Sequence, residues 1–202
     1  MLIFFFRVLR KPTWGTCAGL ILLAESANRT KKGGQELIGG LDVRVNRNHF
    51  GRQTESFQAN LDLPFLRNPD MKGPDTGVDP FRAIFIRAPI VEKLLPVVGG
   101  RQEGEVATDG TVVAPSKPVD TAVVKDFHLG DVEVLGVLPG RVAALDEATK
   151  ERLDAEAGDI IAVRQANVFG TSFHPELTGD PRIHVWWLEQ VSREVGQRRL
   201  AK

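Results

Sequence analysis

The sequence has a single cysteine, Cys17, no excess of either charge and no long apolar run. One thiol cannot close an internal disulfide, which excludes a stapled secreted scaffold and points to a reducing, cytoplasmic setting. Twenty-six basic residues are balanced by 26 acidic ones. No long-range field therefore draws the chain to nucleic acid or to an anionic membrane, and only a local basic patch could do so. No segment approaches the roughly 18–20 apolar residues that a membrane span needs. The nearest, residues 1–6, is cut short by Arg7 and Arg10, and it lacks the basic lead-in and small-residue cleavage site of a signal peptide. No Cys/His cluster has metal-ligand spacing, and no P-loop or Gly-x-Gly-x-x-Gly opens a helix, so no metal or cofactor is expected.

What is present suits one globular domain over residues 1–202, with 42% hydrophobic and 26% charged residues. Twenty Gly and 12 Pro imply many turns. Buried strands are expected within residues 3–16, then a helix over residues 18–27, whose AGLILLAESA sequence favours helix throughout. Alternating patterns place strands at residues 42–46, 55–61, 132–138 and 159–166, with a further buried strand at 81–86 and a short one at 168–173. Residues 97–120 carry no sustained period and are expected to be a solvent-exposed insertion. A charged surface helix is expected at 143–157. A last helix from 182 to about 199 carries Ile183, Trp186, Trp187, Val191 and Val195 along one side. Strands and helices intermix, so the class is α/β.

The chemistry gathers at Gly15-Thr16-Cys17-Ala18-Gly19, a strand–turn–helix with the layout of a nucleophile elbow and sulfur in place of oxygen. An isolated cysteine is most often a small buried hydrophobe. Here small neighbours let the backbone bend, the following helix directs its N-terminal N–H groups at the sulfur, and the Ala18 N–H can serve an oxyanion. Of the four histidines, His174 in Phe173-His174-Pro175-Glu176 is the leading base. Pro175 stiffens the loop, and Glu176 can turn back to orient one imidazole nitrogen. His184 falls on the last helix beside Trp186 and reads as structural, while His49 and His128 read as surface or substrate-adjacent residues. Arg47 and Arg87 stand where strands end, which suits either a bound carboxylate or an ordinary surface ion pair.

Taken together, Gly15-Thr16-Cys17-Ala18-Gly19-Leu20, Arg47-Asn48-x-Phe50-Gly51-Arg52-Gln53, Ile86-Arg87-Ala88-Pro89 and Phe173-His174-Pro175-Glu176-Leu177 resemble the glutaminase subunit of pyridoxal 5′-phosphate synthase, a class I glutamine amidotransferase. The likeness runs from Lys11 to about Leu188, with residues 97–120 as an insertion of the kind seen in fungal members. It implies a flavodoxin-like three-layer sandwich with a mostly parallel sheet, and hydrolysis of L-glutamine to glutamate and ammonia. Cys17 would be the nucleophile, His174 the proton shuttle and Glu176 its orienter, with an oxyanion donor at Ala18. Arg47, Ile86 and Arg87 would hold the substrate. The ammonia would pass to the partner lyase subunit, which builds the pyridine ring from a pentose phosphate and a triose phosphate. This subunit itself would need no cofactor.

The chain departs widely from that family upstream of the elbow, where members carry a first strand and helix, further strands and a Gly-Gly-Glu-Ser loop. The Gly-Gly-Glu-Ser loop that supplies a second oxyanion N–H occurs nowhere in it, and residues 1–10 match poorly. The expectation is a chain truncated at its N-terminus, through a gene model or a splice form. Two other readings follow from the same residues. One is a catalytically impaired binding module for the lyase subunit. The other is a different elbow enzyme of the same superfold, such as a cysteine peptidase or a nucleotide-pathway glutaminase, which would have no need of Arg47 or Arg52.

Overall fold

Segments in which apolar and polar residues alternate become strands, and the longest helical pattern becomes the C-terminal helix. The computed structural model describes residues 11–29, 35–47, 56–67, 79–95, 97–98, 101–102, 107–115, 130–138 and 159–200. Within them the order is β1 (Thr13–Thr16), α1 (Ala18–Leu23), β2 (Ala24–Asn28), β3 (Leu41–Asn46), β4 (Ser56–Leu61), β5 (Phe81–Ile86) and β6 (Ile90–Leu94). There follow β7 (Val97–Val98), β8 (Arg101–Gln102), β9 (Thr111–Val113), β10 (Glu133–Val137), β11 (Ile160–Gln165), β12 (Val168–Thr171) and α2 (Arg182–Leu200). The helix expected at 143–157 lies outside the described residues.

One sheet runs β1-β12-β11-β10 and a second runs β6-β3-β2-β9, with β4-β5 and β7-β8 as separate hairpins. Successive residues of β12 serve opposite faces. Val168 enters a core with Leu20 and Leu23 of α1 and with Leu41, Val43 and Val45 of β3, while Phe169 enters another with β4, β5 and Ile183 of α2. Helix α1 therefore covers one face of the first sheet and α2 the other, giving helix–sheet–helix layers. Phe169, fully buried, meets Trp14 at 5.2 Å, Trp186 at 5.0 Å, Trp187 at 5.9 Å and Phe65 at 6.0 Å between ring centroids. Burial of such a ring contributes roughly 1.5–3 kcal/mol. The two sheets are joined by a buried pair. The Asp42 N–H donates to Gln165 Oε1 at 2.9 Å, and Gln165 Nε2 returns a bond to Asp42 Oδ2 at 2.7 Å.

The α/β class holds, and three expectations are corrected. The helix over 18–27 ends at Leu23, where Ala24 turns extended. Residues 24–28 become β2 instead, paired parallel with β3 and antiparallel with β9. Glu25 is buried there and its Oε1 accepts the Gly40 N–H at 2.9 Å. Such tertiary bonds outweigh local helix preference. Residues 97–120 are not wholly an exposed insertion, because β9 joins the second sheet and buries Thr111 and Ala114. Among the described residues the strands are also less parallel than expected, with only β1–β12 and β2–β3 running parallel. Parallel neighbours need long crossovers, whereas β11 and β12 are joined by a tight turn at Ala166, whose φ is 50°.

Helix α2 is fastened at its start. The Asp180 carboxylate accepts the Arg182 backbone N–H at 3.0 Å and its Nε at 2.9 Å, and Arg182 Nη1 donates to the Asp79 carbonyl at 2.8 Å. The Arg182 hydrogen bonds hold the Asp180 carboxyl below the usual carboxylate range. Because the folded value is depressed, this stabilisation is present above the unfolded pKa of about 3.9 and is lost as pH falls through the folded value. Asp180→Asn is expected to lower the melting midpoint by about 2–4 °C at neutral pH. The difference from wild type should shrink in acid, as followed by circular dichroism.

Candidate active site

Cys17 sits between β1 and α1 with φ 48° and ψ −104°, a backbone conformation that costs a residue with a side chain on the order of 1–3 kcal/mol. The strand end holds it there. Its N–H donates to the Thr171 carbonyl at 2.8 Å, continuing the parallel register in which Thr16 faces Thr171. Its carbonyl accepts the Ile21 N–H at 3.3 Å. Two glycines let α1 lie close to the sheet. A Cβ on Gly15 would stand 2.5 Å from the Gly19 carbonyl carbon and 2.7 Å from Leu23 Cδ1. One on Gly170 would stand 2.6 Å from Leu20 Cδ1. Gly19 faces open space, with nothing within 4 Å of the corresponding position.

The carboxyl end of β5 borders the same place. The Cys17 thiol lies 3.8 Å from the Ile86 carbonyl, and the His174 N–H donates to the Ile84 carbonyl at 2.8 Å. Arg87, next along, has φ 45° and an exposed side chain, before Ala88 and Pro89 return to the core. Two of the three described non-glycine residues with positive φ, Cys17 and Arg87, thus flank one site. His174 leaves β12 at the end where Cys17 leaves β1. Its Nδ1 is 2.7 Å from Glu176 Oε1 across the short 3-10 turn Pro175–Leu177. Cys17, Ala18, the β5 end, His174 and Glu176 are thereby gathered at the carboxyl ends of neighbouring strands.

The electrostatics of the sulfur differ from the expectation of a helix-stabilised thiolate. Burial pushes the Cys17 thiol above its ordinary value, the Ala18 backbone N–H bonded to it pulls the other way, and the Glu176 charge adds to the rise. Helix α1 has only six residues, so its end offers little beyond that first N–H. The Ala18 N–H, expected to serve an oxyanion, is directed at the sulfur itself.

Arg47 is fixed at the end of β3. Its N–H donates to Asn28 Oδ1 at 2.7 Å and its Nη2 to the Gln35 carbonyl at 3.1 Å, while its Nε is buried without a partner among the described residues. Burial, and then the charge of Arg29, hold its guanidinium below the usual arginine range. Asn48, His49, Phe50, Gly51, Arg52, Gln53 and His128 lie outside the described residues. His184 packs on Trp14 at 5.4 Å, within the aromatic layer under α2. Among the described residues no group of three or more His, Cys, Asp or Glu could hold a metal ion, and no helix is long and apolar enough to cross a membrane. Thr171 had no sequence signal. Its contact with Cys17 depends on β1 pairing with a strand more than 150 residues away.

The model of the SNO glutamine amidotransferase family matches residues 1–133 and 138–193. The chain belongs to that family. The match begins at residue 1, so it takes in residues 1–10, which carry no motif of the family. Relatives of this chain include a probable pyridoxal 5′-phosphate synthase subunit of Arabidopsis thaliana, 37% identical over 187 residues, covering 93% of this chain and 60% of the relative. Another pyridoxal 5′-phosphate synthase subunit, from Acidothermus cellulolyticus, is 36% identical over 186 residues, covering 91% and 60%. The chain thus spans about 60% of the length of these relatives. A crystal structure of a glutamine amidotransferase superposes with a TM-score of 0.52 at 29% identity, covering 92% of this chain and 65% of that one.

Two outcomes follow from this geometry. Gly15→Ala should destabilise the amidotransferase fold by about 1–3 kcal/mol, because backbone rather than a flexible side chain stands in the way; a wild-type denaturation midpoint would contradict the close seat of α1. Glu176→Gln should shift the pH profile of Cys17 alkylation to lower pH, since a negative charge that opposes thiolate formation is gone. A profile that stays put or moves upward would remove Glu176 from the electrostatics of the sulfur.

Proposed function

We propose that this chain hydrolyses L-glutamine to glutamate and ammonia, with Cys17 as nucleophile, His174 as proton shuttle and Glu176 as the residue that orients His174. The observation that supports this most is the placement of Cys17 on a strained elbow at the end of β1, beside the parallel strand whose end carries the hydrogen-bonded His174–Glu176 pair. The raised thiol suits a nucleophile that keeps its proton until a base removes it. When the amide enters, the thiol proton passes to His174 and the sulfur bonds to the carboxamide carbon. The carbonyl oxygen becomes an oxyanion to which the Ala18 N–H turns. His174 returns the proton to the departing nitrogen, ammonia leaves, and a thioester remains. Water then attacks the thioester, His174 takes its proton and gives it back to the sulfur, and glutamate is released.

Arg47, with a guanidinium nitrogen that has no partner among the described residues, and the Ile86–Arg87 corner are the groups that would hold the amino-acid end of glutamine. The relatives named as pyridoxal 5′-phosphate synthase subunits support delivery of the ammonia to a lyase subunit in vitamin B6 synthesis, in the cytoplasm, where a lone thiol stays reduced.

The test is ammonia release from glutamine in the presence of the lyase subunit. Cys17→Ala should lower kcat by at least about 10³-fold. Equal rates for wild type and variant would overturn the triad, and co-purification with the lyase without any ammonia release would leave a binding module.

A further inference from the structure

Thr171 is fully buried and is engaged from two sides. Its carbonyl accepts the N–H of Cys17 at 2.8 Å, and its hydroxyl Oγ1 accepts the indole N–H of Trp14 at 3.2 Å. The first bond restrains the strained backbone of Cys17. The second crosses the β1–β12 pair diagonally, from a residue registered with Phe169 to a residue registered with Thr16. The Trp14 ring is in turn clasped by Phe169, by His184 and by Trp187, at 5.2, 5.4 and 5.9 Å between centroids. His184 and Trp187 belong to α2, on the face of the sheet away from α1.

We propose that Thr171, locked by the Trp14 indole, is a positioning residue that sets the backbone of Cys17, and that the packing of α2 reaches the nucleophile through this relay. Neither side chain touches the reacting atoms. A peptide held on its strand only by ladder bonds can tilt, and a tilt at Thr171 lengthens a bond that opposes relaxation of Cys17 toward an ordinary conformation. Relaxation would also carry the Ala18 N–H away from the sulfur, where it favours the thiolate. A hydroxyl pinned by a second donor removes that freedom. The inference rests on the reading of Cys17 as the nucleophile, and its test includes a measurement that does not depend on glutamine.

Cys17 is the only cysteine of the chain, so alkylation by iodoacetamide reports on one atom. Thr171→Val keeps the shape and removes the acceptor, Trp14→Phe keeps an aromatic ring and removes the donor, and Thr171→Ser keeps the hydroxyl. Each is compared with wild type for the pH profile of alkylation, for kcat and KM of ammonia release with the lyase subunit, and for melting midpoint. Thr171→Val and Trp14→Phe should each move the alkylation profile to higher pH and lower kcat about three- to tenfold with KM unchanged. Thr171→Ser should stay within about twofold of wild type. If Thr171→Val fails to fold, Trp14→Phe decides. Wild-type alkylation in folded Trp14→Phe, or a Thr171→Ser variant as impaired as Thr171→Val, would overturn the relay. A wild-type chain that releases no ammonia yet shows the alkylation shifts would overturn the glutaminase reading and leave the relay standing.

Discussion

One hydrogen bond carries the site: the Cys17 N–H to the Thr171 carbonyl, at the end of the parallel pair β1–β12. A cysteine at φ 48° relaxes unless its surroundings over-determine it. That bond, the Ile21 N–H on the Cys17 carbonyl and the close approach of α1 at Gly15 together supply the constraint. Parallel pairing also decides what stands beside the sulfur. Two strands that run the same way end on the same side, so the residues that follow them, Cys17 on one and His174 on the other, open toward one space. Residues from opposite ends of the sequence are neighbours for this reason alone.

The resting electrostatics fit such a place. A half-buried thiol beside a carboxylate is held above its ordinary range, and the one backbone N–H aimed at it does not reverse the balance. Glu176 therefore has two roles: it holds the His174 ring through the 2.7 Å contact, and its charge resists a thiolate on Cys17. A half-exposed carboxylate, at 51% side-chain exposure, moderates that resistance through solvent screening.

Much of this was legible in the sequence where local pattern and tertiary demand agree. Strands β3, β4, β5, β10 and β11 alternate or run apolar between turn residues, and they form within a residue or two of where that pattern places them. The long helix after Pro181 is likewise found at Arg182–Leu200. Local pattern fails at Ala24–Asn28, where residues that favour helix are taken by strands on both sides, and at Thr111–Val113, a strand too short to show a period. In the site, Gly15, Cys17, His174 and Glu176 announce themselves by type and spacing. Thr171 and Trp14 do not, since a threonine and a tryptophan in apolar strands look like core until the register between β1 and β12 is known.

The two glycines beneath α1 have a broader bearing. Where even a methyl group meets backbone or a packed leucine, the floor under the sulfur has almost no room to vary. A larger residue at Gly15 or Gly170 has to move α1 or its leucines, so the seat of Cys17 is held by two side chains that are not there.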